Sequence, residues 1–202
     1  MRHHAGIDRC LRALALAAAV GSVTAMTTRP SLAPSACGER VNGITLCLAS
    51  VSATDTLSVE IRNDGSSDVF VDIGIMLANG ARQYPNAIVL SLQDSGGIEF
   101  DGTSIDPPVV AGRVDPFVIP LPAGAAIRVP LRLSRYLFHA AARPNVVDLA
   151  GQHHLIRAKL IGRRPGDSRS GVDVSGRAVA SWWTGTAVSN AIAVMIPAAS
   201  AR

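Results

Sequence analysis

Residues 57–77 read LSVEIRNDGSSDVFVDIGIML, two runs of alternating apolar residues around a polar turn. The first run sets Leu57, Val59 and Ile61 on one face and Ser58, Glu60 and Arg62 on the other. The second sets Val69, Val71, Ile73, Ile75 and Leu77 against Phe70, Asp72, Gly74 and Met76. A period of two is the pattern of a strand with one buried face. Between them, Asn63-Asp64-Gly65-Ser66-Ser67-Asp68 supplies turn chemistry: Asn and Gly tolerate positive φ, and Asp and Ser satisfy local backbone groups. This connection is longer than a two-residue hairpin loop. The two strands therefore either pair in one sheet or arch between two, setting Val59 and Ile61 across the core from Val71 and Ile73.

The same pattern recurs on either side. Ile44–Val51 is a strand candidate; Ile88, Leu90 and Leu92 alternate before Asp94-Ser95-Gly96-Gly97 turns the chain into Ile98-Glu99-Phe100. Phe117–Leu121 and Ala126–Leu133 flank Pro122-Ala123-Gly124. Pro130 cannot donate to a ladder, which assigns its strand to an edge. His153–Ile161 alternates, and Thr186–Ile196 closes the chain with Val188, Ile192, Val194 and Ile196 sharing a face with Asn190. Ser134–Ala142, SRYLFHAAA, is the one helix candidate, with Ser134 as N-cap and Arg143-Pro144 as the stop. Asp101–Pro116 and Gly162–Ser181 read as long loops. The expected fold is an all-β, antiparallel, immunoglobulin-like β-sandwich of seven to nine strands with one short helix.

Of 202 residues, 48% are hydrophobic, enough to bury the core of one domain. Eighteen of the 19 basic residues are Arg and only Lys159 is Lys, a compositional bias rather than an arginine function. The first 25 residues carry the parts of a secretory signal: Arg2, Arg9 and Arg12, the apolar run Leu11–Val20, and the small-residue site Val23-Thr24-Ala25. The apolar run is short of the about 20 residues that span a bilayer, so no stable span is expected after cleavage. The expected organisation is a signal peptide at 1–25, a Pro- and Ser-rich spacer at 26–36, a sandwich at 37–197 and a tail at 198–202. Without Arg2, Arg9, Arg12 and Asp8 the chain holds 16 basic and 14 acidic residues. That balance, with only 4% aromatic residues, excludes a nucleic-acid footprint.

Export leaves Cys37 and Cys47 after Cys10 is lost with the leader. They flank Asn42-Gly43, a strong hairpin signal, so a disulfide stapling an N-terminal hairpin is expected in an oxidising compartment, periplasmic or extracellular. The rival reading is a lipoprotein acylated at Cys37.

Catalytic and metal chemistry finds little purchase. Gly166-Asp167-Ser168 suggests a hydrolase nucleophile, but no histidine follows His154, and a solvated loop is the better reading. His153 and His154 are neighbours on a strand and face opposite sides, so they cannot share a mononuclear site. His139 stands alone. Asp101, Asp106 and Asp115 match no calcium-loop spacing. No cofactor or metal is expected. The binding candidates are Trp182 and Trp183, one ring covering the core and one facing out, and the basic residues Arg128 and Arg132, with Arg135 beyond them.

The strand–Asn63-Asp64-Gly65–strand unit, the Leu121-Pro122-Ala123-Gly124 turn and the closing Trp183-Thr184-Gly185…Ser189-Asn190 segment resemble immunoglobulin-like or fibronectin-type sandwiches of exported bacterial proteins. The late His-Leu-Ile-Arg-Ala strand also resembles the small sandwich of bacterial proteinase inhibitors. The resemblance spans about Val41–Pro197 and departs from antibody-type domains, because the cysteines do not bridge two sheets around a core Trp. The resemblance bears on the fold and implies little about activity. The leader, the strand pattern and the absence of a catalytic set lead to the expectation of a non-catalytic module that binds a protein or glycan partner in the cell envelope. The alternatives are a proteinase inhibitor acting through a long loop and, more remotely, a hydrolase using Ser168. Oligomeric state is left open by the sequence.

Overall fold

The computed structural model describes residues 35–51, 55–77, 80–104, 113–140, 143–146, 153–164 and 180–195. The expected leader, most of the expected spacer, the expected tail and Ser168 lie outside them. Fifteen strands run through the described residues: β1 (Ala36–Cys37), β2 (Ile44–Ser50), β3 (Thr56–Asn63), β4 (Val69–Leu77), β5 (Arg82–Tyr84), β6 (Ile88–Gln93), β7 (Glu99–Ser104), β8 (Val114–Leu121), β9 (Ala126–Arg132), β10 (Tyr136–Ala140), β11 (Arg143–Val146), β12 (His153–Gly162), β13 (Ser181–Trp182), β14 (Gly185–Val188) and β15 (Ile192–Met195). The all-β sandwich expected from the alternation is what forms. The count exceeds seven to nine because the short strands β1, β5, β10, β11 and β13 add to those the alternation located and the last strand divides into β14 and β15.

One layer is the sheet β1-β2-β3-β9. The other combines β11-β10-β7-β6-β12-β14, with β15 also on β12, and a smaller sheet in which β13, β5 and β8 all pair with β4. Ala87 ties the two parts of this layer together, donating to the Ile73 carbonyl and accepting from Ile161 N–H. Across the core, β2 packs on β12, β14 and β15. Leu57, Val59 and Ile61 from β3 and Val71 and Ile73 from β4 enter one buried cluster from opposite layers. The stretch 57–77 is therefore an arch. β3 pairs with β2 and β9 and never with β4.

Asn63 holds the arch. Its side chain is buried, and its Nδ2 donates to the Ser67 and Leu121 carbonyls at 2.9 Å while its Oδ1 accepts from Gly65 N–H at 3.0 Å. Its backbone N–H and C=O pair with Ala125 and Gly124. The Pro122–Gly124 connection is a second arch, carrying the chain from β8 to β9, and Asn63 binds the two together. Each polar atom of the buried amide is satisfied, so its burial costs little.

The second half of the opening stretch departs from strict alternation. On β8, Val118 faces Asp72 and Phe117 faces Gly74, leaving Ile73 as an extra residue. This bulge turns Ile75 and Leu77 away from the face of Val69, Val71 and Ile73. Gly74 sits at φ +154°, and a Cβ there would lie 2.0 Å from the Tyr84 carbonyl oxygen.

Three further expectations change. Ser134–Ala142 is not a helix. Leu133–Arg135 makes a single 3₁₀ turn with no side-chain cap, and Tyr136–Ala140 is β10, paired along its length with β7. Nine residues are marginal for a helix, whereas the edge of β7 offers a ladder along all of Tyr136–Ala140. Phe138 goes into the core, Leu137 faces solvent, and the Ser134 hydroxyl binds the Asp55 carboxylate. The long loops are shorter than expected, since Asp101–Ser104 belongs to β7, Val114–Pro116 to β8, Gly162 to β12 and Ser181 to β13; residues 105–112 and 165–179 lie outside the described set. The last strand is broken. Val188 pairs with Lys159 and Ile192 with Ile156, so one residue is extra, and Val188 is exposed while Ala187 and Ser189 are buried. Ser189 fills the gap: its N–H donates to Ala158 O and its Oγ accepts from Ala158 N–H.

The N-terminal hairpin forms as expected. Val41 and Ile44 exchange backbone hydrogen bonds across Asn42 (φ +48°) and Gly43 (φ +87°), two consecutive left-handed residues of the type I′ kind. Cys37 and Cys47 are opposite in register and joined as a disulfide, as befits an oxidising, exported environment. No helix among the described residues is long and apolar enough to cross a membrane.

Candidate functional site

The two tryptophans part company, as adjacent residues on an extended chain must. Trp183 is 2% exposed. Its Nε1 donates to the Val41 carbonyl at 3.0 Å, and its ring presses on Gly162, where a Cβ would lie 2.3 Å from it. Trp183 is thus a core residue that anchors the N-terminal hairpin, and it presents no surface to a ligand. Trp182 faces out, half-buried, with its ring 5.5 Å from that of Phe70.

Register explains the contact. β13 runs parallel to β4 and pairs Trp182 with Phe70, while β8 pairs Pro120 with Phe70 on the other side. Residues directly opposite on neighbouring strands project to the same face. Trp182, Phe70 and Pro120 therefore form an apolar row across three strands. Beyond the bulge, Tyr84, Ile75 and Pro116 form a second row. Pro116 and Pro120 are four residues apart, which sets the rows about 13 Å from one another.

A charged pair lies between the rows. Asp72 occupies the bulge with its side chain 4% exposed, and Arg163 Nε meets its Oδ2 at 2.9 Å. Asp72 Oδ1 accepts from Gly74 N–H, and an Arg163 terminal nitrogen reaches Asn86 Oδ1 at 3.3 Å. The guanidinium is half exposed and held from beneath, so it keeps further N–H donors for solvent or a ligand. The arrangement offers flat apolar contact and a fixed hydrogen-bond donor; it holds no nucleophile beside a base. Among the described residues no group of three or more His, Cys, Asp or Glu side chains is placed to hold a metal ion.

Arg128 and Arg132 stand elsewhere. Both lie on β9, in the opposite layer, where Arg128 pairs with Glu60 at 2.6 Å across the outer face. They are not brought together with Trp182. β9 pairs only with β3 among the described residues, which makes it the edge that Pro130 requires. Because Asn63 N–H bonds to Ala125 O, the bonded positions on β9 have odd numbers, and the missing N–H of Pro130 falls on the open side.

Sequence pattern alone does not single out Phe70, Pro120, Asp72 or Arg163. One signal was present: Phe70 is a large aromatic residue on the face of its strand that points away from the core. Comparisons with protein-family models, curated proteins and solved structures return no match.

Proposed function

We propose that the protein is an exported, non-catalytic β-sandwich, immunoglobulin-like in kind, that binds a protein or glycan partner of the cell envelope through the outer face of β13, β4 and β8. The observation that carries this reading is the row Trp182–Phe70–Pro120 beside the anchored Arg163 guanidinium. Rigid aromatic and proline surfaces bury area at low entropic cost, and arginine adds directional donors; such groups are enriched where partners bind. The disulfide supports export, and the leader assigns the route.

The test uses a Trp183→Phe background, which leaves Trp182 as the sole indole. Titration with separated envelope protein and polysaccharide fractions is expected to shift its emission saturably with one of the two. Trp182→Ala in the wild-type chain, with its melting temperature unchanged, is expected to lose at least about tenfold in affinity for that fraction. Equal affinity of Trp182→Ala and wild type would refute the reading.

A further inference from the structure

The larger sheet has an outer face of its own. Its register fixes two cross-strand rows. One runs His139–Asp101–Ser91–Arg157 over β10, β7, β6 and β12. The other sets Leu137 beside Thr103 and Val89 beside Lys159 and Val188, from β10 to β14. Leu137, Val188 and Leu155 on this face are all exposed. Its charges are segregated: Glu99 and Asp101 lie on β7, and Arg157 and Lys159 on β12, with β6 between.

We infer that this face packs against the same face of a second copy, about a two-fold axis lying between the sheets and parallel to β6. Such an axis reverses the strand order, so β12 of one copy covers β7 of the other and β6 covers β6. Arg157 then meets Asp101 of the second copy, and symmetry makes that contact twice. Val89 meets its own equivalent, Leu137 meets Val188 of the second copy, and the Gln93 amide, both donor and acceptor, meets itself. Three alternative axes fail on charge: one along β12 stacks Arg157 on Arg157, one along β7 stacks Asp101 on Asp101, and one running across the strands through the Asp101–Arg157 row does both. Arg157 is available for the contact: its only intramolecular carboxylate among the described residues is Glu99 at 3.8 Å, with both groups exposed.

Edge-to-edge association through β8 or β9 is disfavoured, because these strands carry Pro116, Pro120 and Pro130. Five strands at about 4.8 Å and six residues at about 3.4 Å give a patch of about 500 Å² per copy. Stable complexes bury about 800 Å² per partner, so a reversible dimer is expected.

Sedimentation velocity over a concentration series of the purified protein is expected to show monomer–dimer exchange that weakens with salt. Arg157→Asp and Asp101→Arg should each weaken association at least about tenfold, and the two together should restore it. Ser91→Cys, which sits on the axis, should form an intermolecular disulfide with itself under oxidation. Thermal melting of each variant verifies folding, since all three positions are on the surface. A strictly monomeric wild type, a dimer indifferent to both single charge swaps, or a double swap that restores nothing would overturn the inference.

Discussion

The tip of the N-terminal hairpin is gripped from two sides by different chemistry. On one side the arch holds it through backbone and polar groups: Asp64 N–H donates to Gly43 O, Arg40 donates to the Asp64 carbonyl, and Gly65 rests against Gly43, with Asn63 behind. On the other side Trp183 holds it by packing. The indole fills the corner between Gly162 and Gly185 and donates to Val41 O, while the Asn42 amide donates to Thr184 O. The arch side is a set of directional bonds, each modest after exchange with water. The Trp side is mostly buried area in a tightly matched site. The two sides should therefore fail differently. Loss of the ring should open a large cavity, whereas loss of Asn63 should leave several buried groups without partners.

Trp183→Ala should produce the largest effect, about 4 kcal/mol of lost stability or about 12 °C in Tm, by chemical and thermal denaturation. Trp183→Phe refines the comparison. It keeps most of the area and removes one of the two hydrogen bonds that the Val41 carbonyl accepts, the other coming from Ile44 N–H, and about 1 kcal/mol is expected. If the two variants cost the same, the hydrogen bond rather than packing governs this side. Asn63→Ala should come next at about 3 kcal/mol, because the Leu121 and Ser67 carbonyls and Gly65 N–H lose their partner together. Asn63→Asp is the sharper probe of the arch: it keeps the acceptor for Gly65 and loses both donated bonds. A cost near that of Ala would identify those two as the bonds that matter.

These two sides also differ in how far they could be read from sequence. The arch side was legible, because Asn42-Gly43 and Asn63–Asp68 are local turn chemistry and alternation located the strands around them. Even there, local pattern left pairing and arching equally open, and only long-range register decided it. The Trp side was half legible. One inward and one outward ring follows from strand geometry, but which ring goes inward depends on Gly162 leaving room for it, twenty-one residues upstream. The same limit explains the errors. SRYLFHAAA carries both a cap-like serine and alternating aromatics, and the free edge of β7 made the choice. The Asp72–Ile73 bulge and the Ser189 break each displace the alternation by one residue, and neither leaves a local signal beyond a glycine or a serine. The outer row Trp182–Phe70–Pro120 combines three segments that no single window contains.

The disulfide tests whether the grip needs its hairpin closed. Replacing Cys37 and Cys47 with Ser releases a loop with a sequence separation of 10. The chain-entropy model assigns such a closure about 2.7 kcal/mol. Should the tip be held as firmly from both sides as the contacts indicate, the Ser variant will stay folded, and its denaturant midpoint will fall. In the Trp183→Ala background the same replacement should cost more than the sum of the two, since both act on one hairpin. Strict additivity would place the hairpin outside the grip.

The smallest expected effect is a pH dependence confined to the arch side. The Asp64 carboxyl is held below its ordinary value of 3.8, chiefly by a hydrogen bond from the Thr45 side chain; partial burial opposes this, and Arg62 and Arg40 add to the lowering. A carboxylate whose folded pKa is depressed contributes stability that is present above the unfolded pKa and is lost as pH falls through the folded one. Wild type should therefore exceed Asp64→Asn in stability at neutral pH, and the difference should shrink below about pH 4. Arg62 and Asp64 are both partly exposed, so added salt should erode the Arg62 contribution and spare that of Thr45. Thr45→Val should consequently remove more of the pH dependence than Arg62→Gln when the two are compared in high salt. On the Trp side no carboxylate touches the ring among its described contacts, so Trp183→Ala should lower stability by the same amount at pH 7 and pH 4. A pH-dependent cost for Trp183→Ala would mean that the two sides of the grip are coupled through the hairpin tip rather than acting independently upon it.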